Sequence, residues 1–459
     1  MCVKEGISKK MKKKALISIL MVILLLSPIC VFAENSSIVS NNNLISTNEQ
    51  SVEDTAKVIL KYKKDEQKVL ENVPEVGCKA VYIAEPKTGK IIYEKNAHEK
   101  MYPASTTKIL TALVVLEKCK PTDKVIVSKN AIDLVPDGYS NANLKAGEEL
   151  SVSDLLYALL IPSANEAANV LAEHVSGSVE SFAELCNTRA KELGCENLHF
   201  VNPNGIHDTN HYCTAYDLYL IAKECQKHEL FNEIVKTTKY TIPATNVYPK
   251  NDRIIKNTNY LIMPNYSSYY YEYCTGIKTG TTTPAGECLV ASSSYNDIDL
   301  ISVVLDGGTN SKGLSERFYD TKKLFEFTYD NYSLKEIINK NQVFEKVDVK
   351  HATSDTASLD IIADTTISTI LPNEIDVESL NKTITIDENI SAPIEQNQVL
   401  GKISIMADGL NYTTDLVASH AVEKLPYWLY NTIAVVIMLI VLIIIIRLIK
   451  HSKNKKRRK

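Results

Sequence analysis

Strand-like segments stand at both flanks of one long stretch of this chain, with helical segments between them, so a sheet can form only if distant flanks meet. Residues 80–84 and 91–93 are apolar and β-prone, and they flank the turn signal Pro86-Lys87-Thr88-Gly89. Helical spacing then runs over 105–118, where Ile109, Leu110, Ala112, Leu113 and Leu116 mark the side expected to be buried. A second helix is predicted at 151–160, opened by the cap chemistry of Ser-Val-Ser-Asp. Three more follow at 166–175, 179–193 and 214–225. Strand texture returns at 276–283, 287–293 and 300–305, and a helix at 318–327 closes the region. This order predicts an α+β domain, one sheet built from distant segments with helices packed on it. Past residue 340, alternation such as Thr383-Ile384-Thr385-Ile386 between Asn, Asp and Gly turns predicts a small all-β second domain.

The two ends carry charge that the bulk figure hides. Net charge is −4 over 459 residues. Residues 1–33 hold six lysines and one glutamate, and residues 447–459 hold eight lysines and arginines with no acid. Setting both ends aside leaves the middle at −17, which speaks against nucleic acid or another anionic polymer as a charge-driven partner. Lys9, Lys10, Lys12, Lys13 and Lys14 precede an apolar run over 15–26, and Val31-Phe32-Ala33 offers a small residue for cleavage, the pattern of a signal peptide at 1–33. An Asn- and Ser-rich stretch then opens a spacer over 34–70. At the far end, 427–446 is uncharged and long enough to cross a bilayer as a helix. Tyr427, Trp428 and Tyr430 stand at its start, and the basic tail 447–459 follows it. The expectation is a single-pass protein of the cell membrane whose folded part lies outside the cytoplasm. Of ten cysteines, Cys2 and Cys30 fall in the leader. The other eight, from Cys78 to Cys288, fit either disulfides or free buried thiols, and no C-x-x-C spacing accompanies them.

Chemistry enters at Ser105-Thr106-Thr107-Lys108, which puts a hydroxyl and an amine at i and i+3, on one face of a helix. Serine is a weak nucleophile until a base takes its proton, and a lysine can do so once burial and neighbouring positive charge lower its pKa. Alone, this pattern also fits an ordinary solvated helix face. Ser163-Ala164-Asn165 follows in the break after the predicted helix at 151–160, where the bland reading is a loop with local Asn and Ser hydrogen bonds. Lys278-Thr279-Gly280, followed by Thr281, lies on a predicted strand. In that order the three make the set S-x-x-K, S-x-N, K-T-G described for penicillin-binding proteins and serine β-lactamases. Lys87-Thr88-Gly89 repeats the third motif, but upstream of Ser105 and at a hairpin tip, so it reads as a turn.

On these motifs the chain resembles the D-alanyl-D-alanine carboxypeptidases, the low-molecular-mass penicillin-binding proteins, from about residue 70 to the end of the predicted ectodomain. Asn202-Pro203-Asn204-Gly205-Ile206-His207, leading into Thr214-Ala215-Tyr216-Asp217, resembles a family segment, and so do Gly286-Glu287-Cys288-Leu289-Val290-Ala291-Ser292 and Ser391-Ala392-Pro393-Ile394 with Leu416-Val417-Ala418. The resemblance implies a β-lactamase/transpeptidase-like catalytic domain with an antiparallel sheet over 71–335, then a C-terminal β-sandwich over 341–424, before the transmembrane helix. It implies that Ser105 attacks the carbonyl between two D-alanines with Lys108 as base, and that Ser163 relays a proton to the leaving amine. Asn165 would hold the substrate amide, and the backbone N–H groups of Ser105 and Thr281 would form the oxyanion hole. Lys278 and Thr279, helped by Arg317, would meet the terminal carboxylate, with Gly280 between them and the oxyanion donor. Relatives often carry a larger side chain at the Thr281 position, which leaves substrate preference open. Peptidoglycan stem peptides are the implied substrate, β-lactam antibiotics the implied inhibitors, and no cofactor is implied.

Three other readings compete. A class A β-lactamase needs a deacylating Glu in an E-x-x-L-N setting, which is not found; Glu166 reads as a helix-start capping residue. A metallopeptidase needs ligands, but His207 and His211 lie beside Pro203 and Gly205 in a predicted loop and read as solvent-facing, so no metal is expected. A wall-binding protein with a retired site would not keep all three motifs.

Overall fold

The computed structural model describes residues 72–456 apart from 408, so the signal peptide and spacer expected at 1–70 lie outside the described residues. Strand Ala80–Ala84 pairs antiparallel with Ile91–Lys95 on one edge and with Ile298–Gly307 on the other. Gly286–Tyr295 and then Cys274–Thr282 extend the sheet to five antiparallel strands. The distant flanks thus meet as their order predicts. Successive side chains on a strand face opposite ways, and that alternation sorts two cores. Ala80, Tyr82 and Ala84 with Ile301, Val303 and Leu305 face a bed of helices. Val81, Ile83, Leu300 and Val304 face the other way, against Phe318, Leu324 and Phe325 of helix Glu316–Asn331.

On the first face, helix Lys108–Lys118 is central and packs against Val152–Leu160, Asn165–Ser176, Val179–Glu192 and Ala215–Cys225. Every residue from Lys108 to Val115 is buried, whereas the sequence spacing predicts a single buried side. A helix enclosed all round must be apolar all round, and the stretch from Lys108 to Val115 is, apart from two residues. Thr111 donates its hydroxyl to the Pro203 carbonyl at 2.6 Å. The other is Lys108.

Local chemistry sets the helix starts. Ser151 with Asp154 and Thr214 with Asp217 both form reciprocal capping boxes, in which each side chain accepts a backbone N–H at the other residue. The predicted start at 105 shifts: Ala104–Thr107 is a 3-10 turn, and the α-helix begins at Lys108. Helix Glu229–Lys236 and two small two-stranded sheets, Lys124–Ile126 with Glu149–Ser151 and Lys239–Ile242 with Arg253–Lys256, are additional to the predicted elements.

Beyond helix Glu316–Asn331 the chain is all-β up to Ala418. A five-stranded antiparallel sheet (Val343–Asp348, Ser358–Ala363, Leu410–Ala418, Val399–Ala407, Asn381–Ile386) shares one core with the pair Tyr332–Ile338 and Ile367–Pro372. Helix Tyr427–Lys456 follows, with exposed apolar side chains at Val435 to Ile444 among others. Among the described residues no helix is long and apolar enough to cross a membrane. Several side chains of this helix lie outside those described. All eight described cysteines are free thiols, seven of them buried, which decides between the two readings left open above.

Candidate active site

The turn that carries Ser105 is built from tight backbone packing. Thr106 and Thr107 donate their hydroxyls to the carbonyls of Pro103 and Ala104, each at 2.8 Å. Ala104 takes the left-handed conformation, with φ +48°, a region that side chains other than glycine rarely occupy. Strand Cys274–Thr282 lies against this turn: a Cβ added at Gly280 would stand 2.9 Å from the Ser105 nitrogen. On the other side the Asn202-Pro203-Asn204-Gly205 turn closes in, and a Cβ on Gly205 would stand 1.9 Å from the Ala104 carbonyl oxygen.

Lys108 is fully buried beneath this turn. Its amine lies 3.0 Å from the Ser105 Oγ, 2.9 Å from Asn165 Oδ1 and 2.5 Å from the Asn204 carbonyl oxygen. Burial holds its pKa well below the usual lysine range, and the nearby Lys278 charge pushes the same way, against a smaller opposing pull from Glu166. In the neutral form that this lowering favours, two N–H groups satisfy the two oxygens that can only accept, and the lone pair is free to take the proton of Ser105. That is the requirement for a general base.

Asn165 is oriented by Ser140, whose carbonyl accepts the Asn165 backbone N–H at 3.0 Å and its side-chain Nδ2–H at 2.9 Å. Ser163 sits two residues earlier at φ +68°, and its buried hydroxyl has no protein hydrogen-bond partner. On the strand, Lys278 is buried and Thr279 meets the Thr258 hydroxyl at 2.5 Å. Burial, then the Arg317 charge, lower the Lys278 pKa to about 7. Thr281 is exposed at the rim. Arg317 donates to the Gly280 carbonyl at 3.1 Å and to the Thr281 Oγ1 at 2.7 Å, so the residue picked from the closing helix does reach the third motif. A cavity of about 530 Å³, lined in part by Lys87, Lys223, Lys236 and Thr275, lies apart from these groups and is lined by none of them.

The second Lys-Thr-Gly is a turn, as its position predicts. The Glu85 carboxylate accepts the N–H groups of Lys87 and Thr88 at 2.9 and 2.6 Å, Gly89 has φ +79°, and Lys87 pairs with Asp299.

Two expectations need correction. His211 is not solvent-facing: it is 2% exposed and stacks on Phe200. Its Nδ1 accepts the Val201 N–H at 3.2 Å, and its Nε2 lies 2.8 Å from the Thr107 hydroxyl, so the network fixes Nε2–H as the donor. Burial pushes its pKa down to about 3, and a neutral His211 thus braces the turn that carries Ser105. Its neighbour His207 is exposed. Glu166 does more than sit in a helix's first turn: its Oε1 accepts the N–H groups of Ala142 and Leu144 at 2.6 and 3.4 Å, in a loop more than twenty positions back. Sequence reasoning also missed the Asn204 carbonyl. The turn around it is legible, but a backbone acceptor leaves no residue-type signal.

Residues 67–309 match the family described as D-alanyl-D-alanine carboxypeptidase, and residues 332–424 match the C-terminal domain of penicillin-binding protein 5. D-alanyl-D-alanine carboxypeptidase DacF of Bacillus subtilis is 34% identical over 340 residues, spanning 72% of this chain and 82% of the relative. DacC of Escherichia coli is 32% identical over 347 residues, spanning 73% and 82%. Among solved structures, penicillin binding protein 5 from Haemophilus influenzae aligns with a TM-score of 0.59 at 27% identity, over 76% of this chain and 99% of that one. The chain therefore belongs to the D-alanyl-D-alanine carboxypeptidase family, as a serine-type carboxypeptidase with a β-lactamase/transpeptidase-like catalytic domain and an all-β C-terminal domain.

Proposed function

We propose that Ser105 and Lys108 carry out the acyl transfer that removes the terminal D-alanine of peptidoglycan stem peptides. Lys108 takes the proton of Ser105 as the Oγ attacks the peptide carbonyl. The oxygen's developing charge meets the backbone N–H groups of Ser105 and Thr281. The proton held by Lys108 passes through Ser163 to the departing amine and D-alanine leaves; a water molecule then attacks the ester, giving its proton to Lys108, which returns it to the Ser105 Oγ as the shortened peptide departs. Asn165 holds the substrate amide. Lys278, Thr279 and Arg317 receive the terminal carboxylate, and Gly280 lets their strand lie against the nucleophile. The observation that carries this reading is the fully buried Lys108 amine, 3.0 Å from Ser105 Oγ with two acceptor-only oxygens as its other partners. β-Lactams would acylate the same oxygen and persist there.

The folded part is further proposed to work outside the cytoplasm, held to the cell membrane by residues 427–446. Support comes from that segment's uncharged length, the basic residues after it and the lysine-led apolar leader. The test is D-alanine release from a peptide ending in D-Ala-D-Ala by the full-length protein and its Ser105→Ala variant. Release abolished by the substitution supports the assignment; equal release from both removes Ser105 from it. Membrane fractionation of the full chain against a chain ending at residue 424 checks the anchor.

A further inference from the structure

Glu166 is a buried carboxylate that the proposed acyl-transfer steps do not use. It is 3% exposed. Its Oε1 collects two backbone N–H groups, those of Ala142 at 2.6 Å and Leu144 at 3.4 Å. Asn143 between them lies in the left-handed region at φ +57°. Such a residue turns the flanking N–H groups to one side, and the resulting concavity suits an anion. Here the anion comes from the protein itself. The same loop, two residues earlier, presents the Ser140 carbonyl that accepts both N–H groups of Asn165.

We propose that Glu166 is a positioning residue of the acyl-transfer site: its carboxylate clamps the 140–144 loop onto the start of helix Asn165–Ser176 and so fixes the direction of the Asn165 amide. The chain of contacts has one polarity. The Ser140 carbonyl can only accept, so the amide turns its Nδ2 toward it, and Oδ1 is left facing the Lys108 amine at 2.9 Å. Released from the loop, the amide can flip and set an N–H against that amine, which removes one of the two acceptors that keep the lone pair on Ser105. The second Glu166 oxygen has no protein hydrogen-bond partner, and its charge acts on Lys108 through space. The charged or titratable groups acting on Lys108 are Lys278 from the neighbouring strand, Glu166 from the helix and His211 from the loop beneath, which is held neutral. Among these Glu166 alone can carry negative charge; burial raises its own pKa, against the pull of the loop N–H groups and of Lys108.

This inference rests on the reading of Ser105 and Lys108 as nucleophile and base, and the experiment separates the two. Single-turnover acylation by a β-lactam and steady-state D-alanine release are measured against pH for the full-length protein and its E166Q, E166D and E166A variants. Thermal midpoints report which variants fold. E166Q keeps an acceptor oxygen but loses the charge, so the acid limb of the acylation profile moves to lower pH by about one unit. E166D keeps the charge but falls a methylene short of the loop; its limb stays near that of wild type while kcat drops about tenfold or more with little change in KM. E166A shows both effects. An acid limb that stays put in E166Q, or a folded E166A within twofold of wild-type kcat, overturns the proposal. A wild type that releases no D-alanine overturns the underlying reading instead.

Discussion

At Gly280 the identity of one letter in the third motif follows from van der Waals distances. A side chain there would stand 2.8 Å from the Pro103 carbonyl oxygen and 2.9 Å from the Ser105 nitrogen, so the strand would have to retreat from the nitrogen proposed to bind the oxyanion. Gly280→Ala is expected to slow β-lactam labelling about a hundredfold, the loss seen when one oxyanion donor is removed, while the thermal midpoint moves much less. Gly205 differs, because its φ of +82° adds backbone strain to a 1.9 Å overlap with the Ala104 carbonyl. Gly205→Ala should cost about 2 kcal/mol or more in a denaturant titration, since the left-handed conformation alone costs a non-glycine residue about 1–2 kcal/mol. Lys108→Met keeps the stem but removes the base, and acylation should fall by about 10²–10⁴ in a protein that still unfolds cooperatively. Residues such as Ser105, Lys108 and Lys278 were legible because the chemistry demands those side chains at those spacings. Asn204 and Ser140 act through carbonyls that any residue supplies, and His211 acts on a residue 104 positions away; none of that is written in local pattern.

At the scale of elements, the helices that show most clearly in sequence are those with caps. Thr214 accepts the Asp217 N–H, and the Asp217 carboxylate takes the Thr214 N–H and hydroxyl at 3.1 and 2.7 Å. Both residues are buried, so no water replaces a lost partner. Helix Ala215–Cys225 packs on the sheet and on helix Lys108–Lys118 together. Thr214→Ala is therefore expected to destabilise by about 1–2 kcal/mol, the upper range for a lost N-cap, read as a lower midpoint in urea with the slope unchanged. Helix Glu229–Lys236 escaped prediction for a physical reason. It buries only Phe231, Ile234 and Val235, and two turns hold too few apolar positions to separate a 3.6-residue period from a loop. The three-residue strands Lys124–Ile126 and Glu149–Ser151 each bury a single residue, Val125 and Leu150. Alternation cannot be recognised in so short a run.

Among the described residues of the catalytic domain, burial holds three basic groups, His211, Lys278 and Lys108, below their usual pKa, and each makes stability depend on pH in the same direction. For a base whose folded pKa lies below its unfolded value, the unfolded chain binds more protons between the two, so stability rises with pH across that window. His211 is lowered to about 3 from an unfolded value of about 6.5; its contribution is fully restored above that value and lost progressively as pH falls toward 3. Lys278 is lowered to about 7 and Lys108 well below its usual range, so their penalty is largest in acid and is relieved as pH rises toward about 10.4. Each group adds a slope of up to about 1.4 kcal/mol per pH unit inside its window. The thermal midpoint of the full-length protein should therefore climb from pH 4 to pH 6.5 more steeply than that of His211→Gln. From pH 7.5 to pH 9.5 it should climb more steeply than that of Lys278→Met. Equal slopes in wild type and His211→Gln would mean that the histidine accepts its proton without disturbing the turn that carries Ser105. The eight thiols bear on the same experiment. As free, mostly buried groups they place no covalent restraint on the unfolded chain, so the pH slopes should be the same with and without a reductant, and a slope that changes on reduction would show a disulfide forming in the unfolded state.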